Sequence, residues 1–240
     1  MTRILAIDTS TAWCSVALSL DDCAPILRHE LVSAGASQLL LPWVEELLSE
    51  ANVKLAELDA IAIGIGPGAF TGVRLGVATV QGLAISNAVP VLPVASLDAV
   101  AAQLSHTHSF QKAKPNSFVV ALDARMDEIY WAKYEMIDQK LPVRVGEIHL
   151  SKPEEINLLG IEFFAGSALK TYGDHLMSGI AQKLPSSSLD SEIHITALGV
   201  LECALQMWSA GQQCHVQDLE PLYIRNKVAL TTQERIEAFK

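Results

Sequence analysis

The chain has 240 residues, half of them hydrophobic and 18% charged, and its 17 basic and 27 acidic side chains give a formal charge of -10. That composition excludes a disordered chain and gives enough length to bury a substantial core, in one large domain or two small ones. It also argues against a surface that grips RNA or an anionic membrane by itself, because such surfaces are basic.

The four cysteines (Cys14, Cys23, Cys203, Cys214) form no CxxC pair and read as reduced thiols of a cytoplasmic protein. MTRILAIDTST reaches Asp8 too soon for a signal peptide. No apolar run approaches the ~20 residues that span a bilayer, so no membrane is expected.

Residues 3–8 (RILAID) and 13–20 (WCSVALSL) read as strands joined by a polar turn. Asp21 and Asp22 mark a second turn before a strand near 25–31, an antiparallel start to a sheet. A helix is expected over 37–51, with Leu40, Val44, Leu47 and Ala51 as a buried stripe, Leu48 beside it and Leu39 and Trp43 on one flank. Pro42 is expected in its first turn, where a missing N–H costs little. LDAIAIGI (58–65) reads as a buried strand of a parallel connection, followed by a helix over 71–87, a strand at 89–94 and a helix from Ser96. SHTHSFQKAKPNS (105–117) loses periodicity and reads as a linker. SFVVALDAR and EIYWAKYEM predict a hairpin, with a third strand at 143–150. A short strand IEFFAG, a polar loop at 185–192, a helix near 196–210 and a tail too short for its own core complete the chain. The pattern is an α/β chain of two similar lobes.

GIGPGAFTGVRLGVATVQGLA (64–84) is the densest stretch. It lacks the lysine of GxxxxGK[ST], and Ala69 stands where GxGxxG needs glycine. A helix N-terminus can still attract an anion through unpaired N–H groups. Between Thr71 and Ile85 the strongly polar side chains are Arg74 and Gln81, seven apart and so on one face. A helix this apolar must be covered on more than one side. Gly72, Gly76, Thr79 and Ser86 form a stripe of small residues, although interior glycines cost about 1 kcal/mol each. Two readings stay open: the stripe packs inside this chain's core, or it receives a second protein's helix.

Taken together, ILAIDTSTAWCSVAL, GIGPGAFTGVRLGVATVQGLA, ALDARMDEIYWA and EPLYIR resemble the TsaB (YeaZ) family over nearly the whole chain and in the right order. The resemblance implies a two-lobed fold of the actin, Hsp70 and sugar-kinase type, with ribonuclease H-like lobes of mixed sheets flanked by helices. It divides the chain into an N-terminal lobe (1–104), the linker (105–117), a C-terminal lobe (118–220) and a tail (221–240). It also implies a partnership with a catalytic relative, TsaD, and the ATPase TsaE. That machinery transfers a threonylcarbamoyl group to the adenosine beside the anticodon of tRNAs reading codons that begin with adenine. In that family the subunit supports catalysis and tRNA is reached indirectly, which the acidic charge accommodates.

The resemblance further implies a partner contact like a four-helix bundle, supplied here by helices 37–51 and 71–87. Leu39, Trp43, Gly72, Arg74, Gly76, Thr79 and Leu83 are then expected at the interface, and the same helices would serve a homodimer of the free chain. Catalytic relatives carry HxEGH after the following strand, and its two histidines bind metal. That motif aligns with Ser96-Leu-Asp-Ala-Val100, where Ser96 and Val100 replace the ligands and Val100 has no lone pair. Neither metal nor cofactor is therefore expected. Actin-like proteins place carboxylates near metal and phosphates, and Asp8 with Thr9 and Thr11, and Asp123 with Arg125, stand at the counterparts as a vestigial nucleotide site. Turn chemistry explains the same residues without a ligand. The competing readings are a glycoprotease-like metallopeptidase, which the missing histidines oppose, and a small-molecule kinase of the same fold.

Overall fold

The computed structural model describes residues 2–20, 23–32, 35–137, 141–178 and 184–225. The turn read at Asp21 and Asp22 and the tail beyond 225 lie outside these residues. The chain opens with β1 (Arg3–Asp8), β2 (Trp13–Leu20) and β3 (Ile26–Leu31), then α1 (Ala36–Glu50), β4 (Ala60–Gly64), α2 (Phe70–Ile85), β5 (Val91–Val94) and α3 (Ser96–Ser105). A short helix α4 (His108–Ala113) precedes β6 (Ser117–Arg125), β7 (Glu128–Glu135) and β8 (Val143–Ser151). β9 (Phe163–Ala165), α5 (Ala168–Ser178), β10 (Leu189–Asp190) and α6 (Ala197–Ser209) follow.

The two sheets repeat one plan. The first runs β3-β2-β1-β4-β5 and the second, read from the other edge, β8-β7-β6-β9-β10. In each, three antiparallel strands are extended by two parallel ones. The alternation follows from connection length. Tight turns can join only antiparallel neighbours, whereas the parallel β4–β5 pair needs the crossover through α2. This is the ribonuclease H-like, actin-like architecture.

Helices α3 and α6 lie between the sheets. α6 packs on β1, β2, β4 and β5 of the first sheet and against α3, although it follows the whole second sheet in sequence. A Cβ on Gly199 would collide with the Ala99 carbonyl oxygen, so α3 and α6 cross with backbones nearly touching. One core cluster therefore takes Ile4, Ala6 and Leu92 from the first sheet, Val100 and Leu201 from the helices, and Phe118 and Phe163 from the second sheet. A second cluster beneath α1 and α2 joins Leu5, Ile7, Leu40, Val44, Leu47, Val73, Val77 and Val80.

Several elements depart from the sequence reading. Residues 105–117 contain α4, capped by the Thr107 hydroxyl, which accepts from the Phe110 N–H. Phe110 is buried against Phe118 and Phe163 in edge-on contacts of 4.8 and 5.3 Å, so one aromatic pins a segment that lacks periodicity. α5 has no counterpart in the sequence pattern, because its polar sequence carries a non-helical residue, Tyr172, inside it. Pro42 lies beyond the first turn of α1. The Gln38 carbonyl it leaves unpaired lies on the exposed side, where water can satisfy it.

Candidate functional site

The glycine stretch folds onto the turn after β1. Gly66 adopts φ +101°, which glycine tolerates, and its carbonyl accepts from the Ser96 N–H at 2.8 Å. The Ala69 N–H donates to the Ser10 carbonyl at 2.6 Å, and the Thr9 hydroxyl donates to the Gly72 carbonyl at 2.7 Å. A Cβ on Gly72 would collide with the Thr9 carbonyl oxygen. One on Gly76 would stand 2.7 Å from Thr9 Oγ1 and 2.9 Å from Ile63 Cδ1. Both glycines therefore face this chain's own first sheet. This corrects the expectation that they admit a partner's helix: their missing side chains let α2 approach the 8–11 turn. Trp43, also expected at an interface, is 9% exposed and packs into the cluster beneath α1.

The face left outward is different. Thr71, Arg74, Ala78, Gln81, Gly82 and Ile85 are exposed, with Ile85 66% accessible and Phe70, at the start of the helix, 42%. Leu39, Thr79 and Leu83 are half-buried at its margins. On α1, Leu41 is 53% exposed. The signal for this face was present in the sequence. Arg74 and Gln81 mark the outward side, and Ala78 and Ile85 continue the same spacing. The Arg74 guanidinium sits 3.7 Å from the Phe70 ring centroid and donates from Nε to the Tyr223 hydroxyl at 2.7 Å. Gln81 donates to the Leu219 carbonyl, and the Leu222 N–H donates to the Ile65 carbonyl. The described part of the tail is thus a strap across α2. It ends at Arg225, whose Nη2 bonds Glu128 at 2.6 Å and the Ala124 and Arg125 carbonyls at 3.1 and 3.2 Å.

The sequence-derived nucleotide residues divide into two groups. Thr11, Asp123 and Arg125 line one cleft of about 420 Å³ between the β1–β2 turn and the β6–β7 turn, with Trp13, Ser167, Lys170, Thr171 and His194. Asp8 and Thr9 are outside it, each only 1% exposed. Burial lifts the Asp8 carboxyl to about 7, against hydrogen bonds from the Ser10 N–H and hydroxyl that act the other way. Its Oδ2 has no hydrogen-bond partner and fills the space that a Cβ on Gly64 would need.

Asp123 Oδ1 accepts from the Arg125 N–H at 2.8 Å and the Tyr172 hydroxyl at 3.3 Å, and Oδ2 is 3.4 Å from Arg125 Nη1. Arg125, Met126 and Asp127 all take positive φ, a strained turn whose carbonyl at Arg125 is held by Arg225. Ser167, Lys170 and Thr171 carry no signal in the sequence pattern, because they stand on the polar helix α5 or at its start.

Ser96 is fully buried, with its hydroxyl 3.2 Å from Ser10 Oγ, and Val100 is fully buried in the shared core. Between them, Asp98 accepts from the Tyr134 hydroxyl at 2.8 Å and lies 3.1 Å from Arg144 Nε, tying α3 to the second sheet. The counterpart of the catalytic motif therefore serves packing. Among the described residues no three His, Cys, Asp or Glu side chains gather as a metal site, and no helix is long and apolar enough to cross a membrane.

Residues 30–234 match the family model for TsaD, tRNA N6-adenosine threonylcarbamoyltransferase. The tRNA threonylcarbamoyladenosine biosynthesis protein TsaB of Escherichia coli is 33% identical over 234 residues, 95% of this chain and 96% of that one. Its Haemophilus influenzae namesake is 32% identical over 94% of each chain. The solved structure of YeaZ from Pseudomonas aeruginosa superposes with a TM-score of 0.80 at 33% identity, over 93% of this chain and all of that one. Similarity of this extent, in sequence and in fold, places the chain in the TsaB (YeaZ) family.

Proposed function

We propose that this protein is a non-catalytic cytoplasmic subunit of a tRNA threonylcarbamoyladenosine machinery, docking through the outer face of α2 onto a TsaD-type threonylcarbamoyltransferase and favouring its competent arrangement. The observation that carries this reading is similarity over 94–95% of the chain to proteins named for that biosynthesis. The chemistry of the residues supports a supporting role: Ser96 and Val100 cannot replace two imidazoles, which also opposes a metallopeptidase. The exposed Phe70, Ala78 and Ile85 on one helix, with Leu41 on its neighbour, offer apolar surface for a helical partner. Docking would act by population shift, since a subunit that binds the competent arrangement better enriches it. The ATPase TsaE would join the same assembly, and the charge of -10 leaves tRNA to the partner's surface. A homodimer through the same face would compete with the partner.

The test is depletion of the protein from its own cells followed by nucleoside mass spectrometry of bulk tRNA. Threonylcarbamoyladenosine should fall while other anticodon-loop modifications stay constant. A normal level after complete depletion would overturn the reading.

A further inference from the structure

His29 on β3 and His194, just before α6, are 165 residues apart in sequence, yet their Nε2 atoms lie 3.1 Å apart. The ring centroids are separated by 5.2 Å and the planes differ by 16°. That separation is what two nearly coplanar rings show when pointed at each other nitrogen to nitrogen: the 3.1 Å gap plus a ring radius on each side. Trp13 stacks on both, with centroids 4.5 Å away and planes within 6° and 11°. Imidazoles stacked on opposite indole faces would stand about 7–9 Å apart, well beyond 5.2 Å, so both lie side by side on one face. A shared metal ion does not fit: among the described residues no third His, Cys, Asp or Glu joins the pair, and a metal about 2.0 Å from both nitrogens would sit well off the line along which the two rings point at each other. A single proton does.

The surroundings assign the tautomers. His194 Nδ1 is 2.9 Å from the Glu192 carbonyl oxygen, so it carries the hydrogen and leaves the lone pair on Nε2. His29 must then donate from Nε2, which leaves its own lone pair on Nδ1, a buried atom with no partner. Further protonation has two places to go and both are obstructed. At His29 Nδ1 the new N–H would meet no acceptor. At His194 Nε2 it would displace the hydrogen bond between the rings.

We propose that His29, His194 and Trp13 form a one-proton latch that fastens residues 191–196 onto the edge of the first sheet near neutral pH and releases them when both rings are protonated. The consequence is local to the cleft, because Trp13, Ile193, His194 and Ile195 line it. Burial, and then the proximity of His194, hold His29 below the ordinary histidine range. The other charges nearby do not offset this. Glu192 lies beside His194 but is paired with Lys170 of α5 at 3.2 Å. On β3, Arg28 turns to α1, where it meets Glu46 and Glu50, and Glu30 pairs in register with Cys14 on that same side. β2 contributes Trp13 and Ser15, the latter accepting from the Ala197 N–H, and α6 directs Glu202 to His106.

The latch is tested on the full chain by ring-nitrogen NMR of the histidines and by hydrogen exchange of residues 191–196, from about pH 7.5 to about pH 4. The pair should titrate as a coupled unit, with His29 taking up its proton below the ordinary histidine range. Protection at 191–196 should fall about tenfold or more relative to β6. His194→Gln, whose amide oxygen can still accept from His29 without titrating, should abolish that pH dependence. His149→Gln, which removes a histidine stacked on Trp131 elsewhere, should preserve it. Independent titration of the two rings in the parent chain, or an unchanged loss of protection in His194→Gln, would overturn the latch.

Discussion

Gly72 and Gly82 occupy the same helix and invite the same substitution with opposite results. A Cβ at Gly72 would collide with the Thr9 carbonyl oxygen, whereas one at Gly82 meets nothing within 4 Å. Alanine at Gly82 should realise the full helix-propensity gain, about 1 kcal/mol of stabilisation. At Gly72 the same gain is opposed. The first turn of α2 must move away from the 8–11 turn, an overpacking cost of about 1–3 kcal/mol. That shift also breaks the 2.7 Å bond from the Thr9 hydroxyl to the Gly72 carbonyl, worth about 1 kcal/mol. The net for Gly72→Ala is then about 1–3 kcal/mol of destabilisation, and the two variants should differ by about 2–4 kcal/mol. Urea denaturation followed by far-ultraviolet circular dichroism reads this as midpoints moving in opposite directions at similar slope. If Gly72→Ala raised the midpoint as Gly82→Ala does, α2 would not be seated on Thr9 and the inward assignment of the glycines would be wrong.

Asp8 supplies a pH-dependent counterpart. Its carboxyl stands at about 7 in the fold against roughly 3.9 in an unfolded chain, so between these values the folded state binds more protons. The contribution of Asp8 to stability is therefore intact below about pH 4 and is lost as pH rises through about 7. Asp8→Asn carries no such loss, so the variant should gain on the parent by up to about 4 kcal/mol between about pH 4 and pH 8. Parallel stability curves from urea melts across that range would reject the buried, orphaned carboxyl. On the outer face, Ile85→Asp should leave the unfolding free energy from urea melts within about 0.5 kcal/mol of the parent. It should also weaken binding to the TsaD-type partner by about tenfold or more, measured by titration calorimetry. Unchanged affinity, in Ile85→Asp and again with Leu41→Asp added, would move the docking surface elsewhere.

The sequence by itself determined most strands, the core helices and the family. Alternating or continuous apolar runs such as RILAID and SFVVALDAR have one stable use, and the GIGPGAFTG stretch with its apolar helix carried the family resemblance. Local pattern was weakest where a single side chain fixes a segment. α4 buries only Phe110 of its side chains, and α5 carries a non-helical Tyr172 inside it. Periodicity also showed that α2 has two sides without showing which faced inward. A glycine leaves no hydropathy signature, so only the position of the Thr9 carbonyl decided that Gly72 and Gly76 close on this chain and that Phe70, Ala78 and Ile85 stay exposed. The same holds for the charges and rings. Asp8 is an ordinary turn carboxylate until the fold removes its water. His29 and His194 share no spacing until a sheet edge and the approach to α6 bring them to 3.1 Å, because contacts across 165 residues are set by the packing of whole elements and not by any window of the chain.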